Sequence, residues 1–295
     1  GSCAEARSPS PAGGAGRAVA GGRELRDPGL DVASRVTRGV LLLGALFLTT
    51  RAAAASPSSD EVIGEVVTHR LARGESLIEL ARQWDVGFNE IAAANPRLDA
   101  FVPEVGATAI IPTAWIVPAA AAPRTLVVNL SEMRLYLFAA GAPPLSFPVG
   151  VAAEADATPL GELRVIAKAI DPTWYPPPSL RREDPTLPAA VPPGPDNPLG
   201  SHALRLSNPI ILIHGTNRPF GVGRKVSHGC LRLYPEDIER LFRSVKIGTR
   251  VTIVREPVKV GLRQGRVFVE VHEDMAATVD ALEEAKRLLR GRALL

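Results

Sequence analysis

Between Thr125 and Val254 the apolar residues fall in short runs broken by turn formers, and only Pro235 to Val245 is spaced for a helix. A strand buries alternate residues, so many short strands with a single helix close a core only if the sheet is layered or curled on itself. The runs are Thr125 to Leu130, Met133 to Phe138, Ser146 to Gly150, Glu162 to Ile170, Ala203 to Leu206, Ile210 to Ile213 and Arg250 to Val254. The first two are separated by Ser131-Glu132, a hairpin spacing. This predicts a mainly β domain over 124–255, an antiparallel sandwich or barrel. The 27 prolines and 26 glycines suit a loop-rich sheet better than a helical bundle.

Within that span, 171–200 is dense in proline. Pro172-Thr173-Trp174-Tyr175-Pro176-Pro177-Pro178 and Pro192-Pro193-Gly194-Pro195-Asp196-Asn197-Pro198 bracket a charged stretch. A long irregular segment inside a compact domain usually covers or lines a site, and Trp174 and Tyr175 mark this one as a lid that touches substrate. Beyond Val254, 256–295 reads as an extension. Pro257 to Leu262 and Arg266 to His272 pattern as a hairpin turning at Gln264-Gly265. Met275 to Leu289 sets Leu282, Ala285, Leu288 and Leu289 on one face of a surface helix.

A smaller unit, 65–114, precedes the sheet between linkers at 56–64 and 115–123. Val67 to Leu71 reads as a strand and Arg73-Gly74-Glu75 as a turn. Ser76-Leu77-Ile78-Glu79 is a capping box opening a helix with Leu77, Ile78, Leu80, Ala81 and Trp84 on its apolar positions. A second helix covers about Phe88 to Ala94, ended by Asn95-Pro96, and Thr108 to Pro112 returns as a strand. The run His69-Arg70-Leu71-Ala72-Arg73-Gly74-Glu75-Ser76-Leu77, with Leu80-Ala81, Trp84-Asp85-Val86, Ile91, Asn95-Pro96, Val105-Gly106 and Ile110-Ile111-Pro112, resembles a LysM module. The resemblance implies a βααβ fold that binds glycan strands containing N-acetylglucosamine. Gly87-Phe88 stands where such modules usually carry a small polar helix cap.

The amino-terminal stretch, 1–55, reads as a leader. Arg35 and Arg38 precede the apolar run Val40 to Leu48, and Ala53-Ala54-Ala55 offers a cleavage pattern. The run is shorter than the ~20 residues of a spanning helix, so the expectation is an exported, periplasmic protein cut near Ala55. These 55 residues hold seven arginines and four acids against 34 basic and 31 acidic residues in the whole chain, leaving 27 of each. A neutral mature chain lacks the basic footprint of a nucleic-acid binder. Losing the leader also removes Cys3 and leaves Cys230 as the single cysteine of a protein in an oxidising compartment, which flags that thiol for chemistry.

The chemistry concentrates between Ile213 and Leu233. An apolar strand delivers His214 to its end, followed by Gly215, and a glycine-rich loop returns as Ser227-His228-Gly229-Cys230-Leu231-Arg232-Leu233. A catalytic thiol needs a base, a group orienting that base, and donors for the developing oxyanion. His214 or His228 can supply the first and backbone carbonyls near Gly215 the second. Gly229 lets a carbonyl approach and leaves backbone N–H groups around Cys230, while Arg232 suits a carboxylate. Three other readings compete: His214, His228 and Cys230 as zinc ligands, though without an acidic base in the run; a structural cluster; and Ser227 as nucleophile, intrinsically weaker than a neighbouring thiol.

His214-Gly215-Thr216 with Ser227 to Leu233 resembles the signature of YkuD-type L,D-transpeptidases, over about 124–254, and the two proline-rich runs resemble the ErfK/YbiS branch. The resemblance implies an enzyme without cofactor or metal, acting as a monomer on peptidoglycan. Its nucleophile falls on Cys230 and its proton acceptor on His214, with Gly215, Ser227, His228, Gly229 and Arg232 supporting. The Cys230 thiolate would attack a tetrapeptide stem and release D-alanine. The thioester would pass to an amine of another stem (a 3→3 cross-link), to a lysine of an outer-membrane lipoprotein or barrel protein, or to water, the carboxypeptidase outcome. A non-catalytic wall-binding protein is the contrasting class.

Overall fold

The computed structural model describes residues 60–153, 158–227, 229–273 and 279–294; the expected leader lies outside them. Along the chain come β1 (Val62–Gly64), β2 (Val67–Arg70), α1 (Leu77–Gln83), α2 (Phe88–Ala94), β3 (Thr108–Ile111) and β4 (Ala114–Ile116). Next are β5 (Thr125–Asn129), β6 (Arg134–Phe138), β7 (Leu145–Pro148), β8 (Val151–Ala152), β9 (Gly161–Ile170) and α3 (Pro178–Glu183). Then follow β10 (His202–Leu206), β11 (Leu212–His214), β12 (Lys225–Ser227), β13 (Leu231–Arg232) and α4 (Pro235–Ser244). The chain ends in β14 (Arg250–Val254), β15 (Val258–Arg263), β16 (Arg266–Val271) and α5 (Ala281–Gly291).

Eight strands make one sheet, ordered β13-β11-β10-β9-β14-β5-β6-β7. It is mixed, not antiparallel throughout: β14 runs parallel to β5, and β13 to β11. Parallel partners need a crossover rather than a tight turn. Between β11 and β13 that crossover is the glycine-rich loop, and between β5 and β14 it is most of the domain. The sheet curls until its edges meet. Gly150, just past β7, exchanges both backbone hydrogen bonds with Arg232 of β13, at 2.8 and 3.0 Å. A Cβ on Gly150 would stand 2.7 Å from the Gly221 carbonyl oxygen, so this seam takes glycine. Leu126, Leu135, Phe147, Leu204, Ile213 and Leu231 line the inside of the curl, which Ile238 and Leu241 of α4 fill.

The opposite face of β5 and β6 is also covered. Arg134 and Tyr136 alternate with Leu135 and Leu137, and Tyr136 enters the core of the smaller unit beside Leu77, Leu80, Ile91 and Ile111. That unit runs β2-α1-α2-β3 with β2 antiparallel to β3. Ser76 caps α1, its Oγ accepting the Glu79 N–H at 3.3 Å. The stretches expected as linkers hold strands instead: β1 pairs with β4, Val62 opposite Ile116. Val62, Trp115 and Ile116 are buried, too apolar to stay in solvent as a tether.

The proline-rich loop is also more ordered than expected. It carries α3, and Trp174 and Val191 exchange backbone hydrogen bonds at 2.9 and 2.8 Å. Fully buried Asn197 pins its ends, Nδ2 donating to the Pro172 carbonyl at 2.7 Å and Oδ1 accepting the Leu199 N–H at 2.9 Å. In the carboxy-terminal extension β15 and β16 form the hairpin. Helix α5 starts at Ala281, where the Asp280 side chain caps it. The earlier start at Met275 falls outside the described residues.

Lys259 ties this hairpin to the sheet. Its Nζ donates to Glu132, to the Ile116 carbonyl at 2.6 Å and to the Tyr136 hydroxyl at 3.3 Å, with Glu270 at 3.1 Å. Burial pushes Glu132 up to about 7. Burial would raise Glu270 too, but its bond to His272 (2.6 Å) and the charge of Lys259 hold it at about 2. Glu132, Glu270 and His272 are close enough to hold a metal ion, yet the Lys259 ammonium already serves as the cation there. Removing one partner of a buried pair strands the other, so Lys259→Met is expected to lose about 3–5 kcal/mol in urea denaturation. Adding Glu132→Gln should restore part of that loss; a lysine of little consequence would leave the midpoint unmoved.

Candidate active site

The glycine-rich crossover sets the site at the seam of the curled sheet. In the parallel pair, Ile213 lies opposite Leu231 and His214 opposite Arg232. Ile213 and Leu231 point into the core, so alternation turns Leu212, His214 and Arg232 to the other face. Cys230, just before β13, joins them: it is 3% exposed, packs with Leu199, Leu212 and Trp174, and its Sγ accepts the Leu212 N–H at 3.3 Å.

His214 is 4% exposed. Its Nδ1 lies 2.6 Å from the Gly215 carbonyl oxygen. A carbonyl only accepts, so Nδ1 carries the hydrogen and Nε2 keeps the lone pair. Burial first, and then the charge of Arg232, lower the imidazole to about 3, against the opposing bonds from the Gly215 and Leu199 backbones. Leu199 thus touches both key residues, bonding His214 through its backbone and packing on Cys230 through its side chain. At neutral pH the imidazole is therefore uncharged.

Ser227, 3% exposed, is held inside the turn. Its Oγ donates to the Cys230 carbonyl at 2.7 Å and accepts the Gly229 N–H at 3.3 Å. The Gly229 N–H is therefore engaged, not left open as the sequence suggested. Gly229 itself adopts φ +127°, a region that favours glycine. Gly215 is equally constrained: a Cβ there would meet Ile238 at 3.0 Å and the Leu199 carbonyl at 3.3 Å. His228 lies outside the described residues. Half-buried Arg232 feels Arg218 nearby, and its pKa is lowered by burial and by that second cation. Its Nε is buried and, among the described residues, has no acceptor.

Of the two lid aromatics, Trp174 packs on the Leu199–Leu212–Cys230 cluster, whereas Tyr175 is exposed. Sequence reasoning missed Thr158 and Leu199. Buried Thr158 donates Oγ1 to the Gly229 carbonyl at 2.9 Å. It comes from a polar segment with no periodicity, and a lone threonine there carries no signal.

A model of the L,D-transpeptidase catalytic domain, YkuD, matches residues 123–253. The chain is 37% identical over 236 residues to the probable L,D-transpeptidase YcfS of Escherichia coli K12, covering 76% of this chain and 73% of that one. It belongs to the L,D-transpeptidase family. The ErfK/SrfK protein of Salmonella typhimurium LT2, also described as a probable L,D-transpeptidase, is 36% identical over 241 residues, with 79% and 77% covered. YbiS of E. coli K12, described likewise, is 36% identical over 244 residues, with 79% of each chain covered. These alignments are longer than the catalytic segment, so the likeness to family members reaches beyond it.

The depressed imidazole has a consequence for this L,D-transpeptidase in acid. An ordinary histidine of the unfolded chain binds a proton near 6.5, whereas native His214 refuses it until about 3. Between those values the unfolded state holds more protons, so native stability falls as pH drops. His214→Gln removes that contribution. Its loss of Tm between pH 7 and pH 4 is expected to be smaller than that of the wild type; an equal loss would mean that His214 titrates normally.

Proposed function

We propose that this family member is an exported enzyme that remodels peptidoglycan through Cys230, with His214 as general base. The observation that carries the proposal is the bond from His214 to the Gly215 carbonyl, from which the tautomer follows. Because Nδ1–H is spent on Gly215 and burial keeps the ring neutral, Nε2 is an acceptor on the face that Cys230 shares.

In this reading the reduced sulfur attacks the carbonyl of the diamino acid in a tetrapeptide stem, and its proton passes to His214. The bond to D-alanine breaks and His214 returns the proton to the leaving amine, giving a thioester on Cys230. An acceptor amine then attacks the thioester, loses a proton to His214 and releases the thiol. Arg232, with its buried Nε lacking an acceptor among the described residues, suits a stem carboxylate. The acceptor is another stem or a lysine on an outer-membrane protein; water would make tripeptide instead. Residues 65–114, as a LysM module, bind glycan and raise the local concentration of stems. The leader, cut near Ala55, delivers the monomer to the periplasm.

Cys230→Ala is expected to abolish D-alanine release from purified disaccharide-tetrapeptide under reducing conditions, while its unfolding free energy in urea stays within about 1 kcal/mol of wild type because the change is small. Release at the wild-type rate by the folded variant would remove Cys230 from the mechanism. A wild type that binds glycan without releasing D-alanine would make the protein a wall-binding module.

A further inference from the structure

The reactive turn is gripped on both flanks by the smaller unit. Upstream, the Phe88 N–H donates to the Val222 carbonyl at 3.3 Å and the Asn89 N–H to the Gly223 carbonyl at 3.1 Å. These are first-turn donors of α2, which no residue within the helix can satisfy. Gly87 and Gly223 touch backbone to backbone: a Cβ on Gly87 would stand 2.9 Å from the Gly223 Cα, and one on Gly223 2.2 Å from the Gly87 Cα. Arg224 lies over the Phe88 ring at 4.8 Å. Downstream, the Tyr234 hydroxyl donates to the Val86 carbonyl at 3.2 Å, Arg240 bonds Asp85 at 2.9 Å, and Glu236 takes a forked pair from Arg82 at 2.8 and 2.9 Å. Six residues lie between Gly223 and Cys230, and three between Cys230 and Tyr234. The unusual Gly87-Phe88 is thus accounted for: a side chain at 87 would push the loop away.

Resting on the assignment of Cys230 as nucleophile, we infer that Gly87 and the Phe88 N–H are positioning residues for the transpeptidase reaction. They fix the Val222–Arg224 segment and, through β12 and Tyr234, the height of the Cys230 turn against His214. The smaller unit is then part of the catalytic apparatus, and its contribution holds for substrates that carry no glycan polymer.

The test compares Phe88→Pro with Phe88→Ala in the full chain, beside Gly87→Ala. Both Phe88 variants lose the ring; only proline also loses the N–H. Proline is accepted at the first position of a helix, and Gly87 is already extended (φ −75°, ψ 149°), as a residue before proline should be. With soluble disaccharide-tetrapeptide, Phe88→Pro and Gly87→Ala are expected to lower kcat about tenfold against Phe88→Ala, with KM changed less than about twofold. A unit serving only as a glycan tether would leave kcat on this substrate the same in all three, and that result overturns the inference. Should a variant fold poorly, amide exchange of 229–233 in the remaining one decides. Faster exchange than in Phe88→Ala supports the grip, and equal exchange refutes it. Exchange also reads out if the wild type proves inactive, which would sink the catalytic assignment and not the grip.

Discussion

Arg134 has no solvent exposure, yet it carries a full charge on the outer face of the curled sheet. Its guanidinium donates to Ser146 Oγ at 2.7 Å, to Glu90 at 2.8 Å and to the Asp85 carbonyl at 2.9 Å, and it stacks 3.7 Å from the centre of the Trp115 ring. Glu90 also accepts the Trp115 indole N–H and the Gly87 N–H. Taking such a pair out of water is costly unless every donor and lone pair finds a partner. Here the partners come from the sheet, from α2 and the turn before it, and from β4, so the charge is tolerable only when all of these are assembled. That requirement makes the smaller unit and the catalytic sheet one body.

From this assembly the site follows. The sheet curls so that its edges meet at Gly150 and Arg232, the crossover between β11 and β13 is forced to leave and re-enter at that seam, and it carries the candidate site residues with it. Burial there does two things. It keeps His214 neutral with its accepting nitrogen defined, and it lets a short turn hold its shape through Ser227 and Thr158. The ring stays neutral because an imidazolium in this pocket would lose solvation and face Arg232.

Much of this was legible in the sequence. The alternating runs located the strands of the sheet, Ser76 and Glu79 marked the start of α1, and the motif around His214 and Cys230 identified the family. Strand direction was not legible, since a parallel partner is decided by crossovers that a local pattern does not encode. The expected linkers hid β1 and β4 because three-residue strands are too short to show a period. Glu132 looked like a turn residue, and only the fold brings Lys259 from 127 positions away to neutralise it. Gly87 was visible as a departure from the module's usual pattern, but its reason lies in Gly223, a residue of the other unit.

The account centres on a covalent intermediate at Cys230. Intact-mass spectrometry of the reduced protein, residues 56–295, mixed with disaccharide-tetrapeptide measures it directly. The account predicts a gain equal to the substrate less D-alanine, mapped to Cys230 and cleared by an added amine. A folded, reduced protein that never gains this mass, or gains it on another residue, would contradict it.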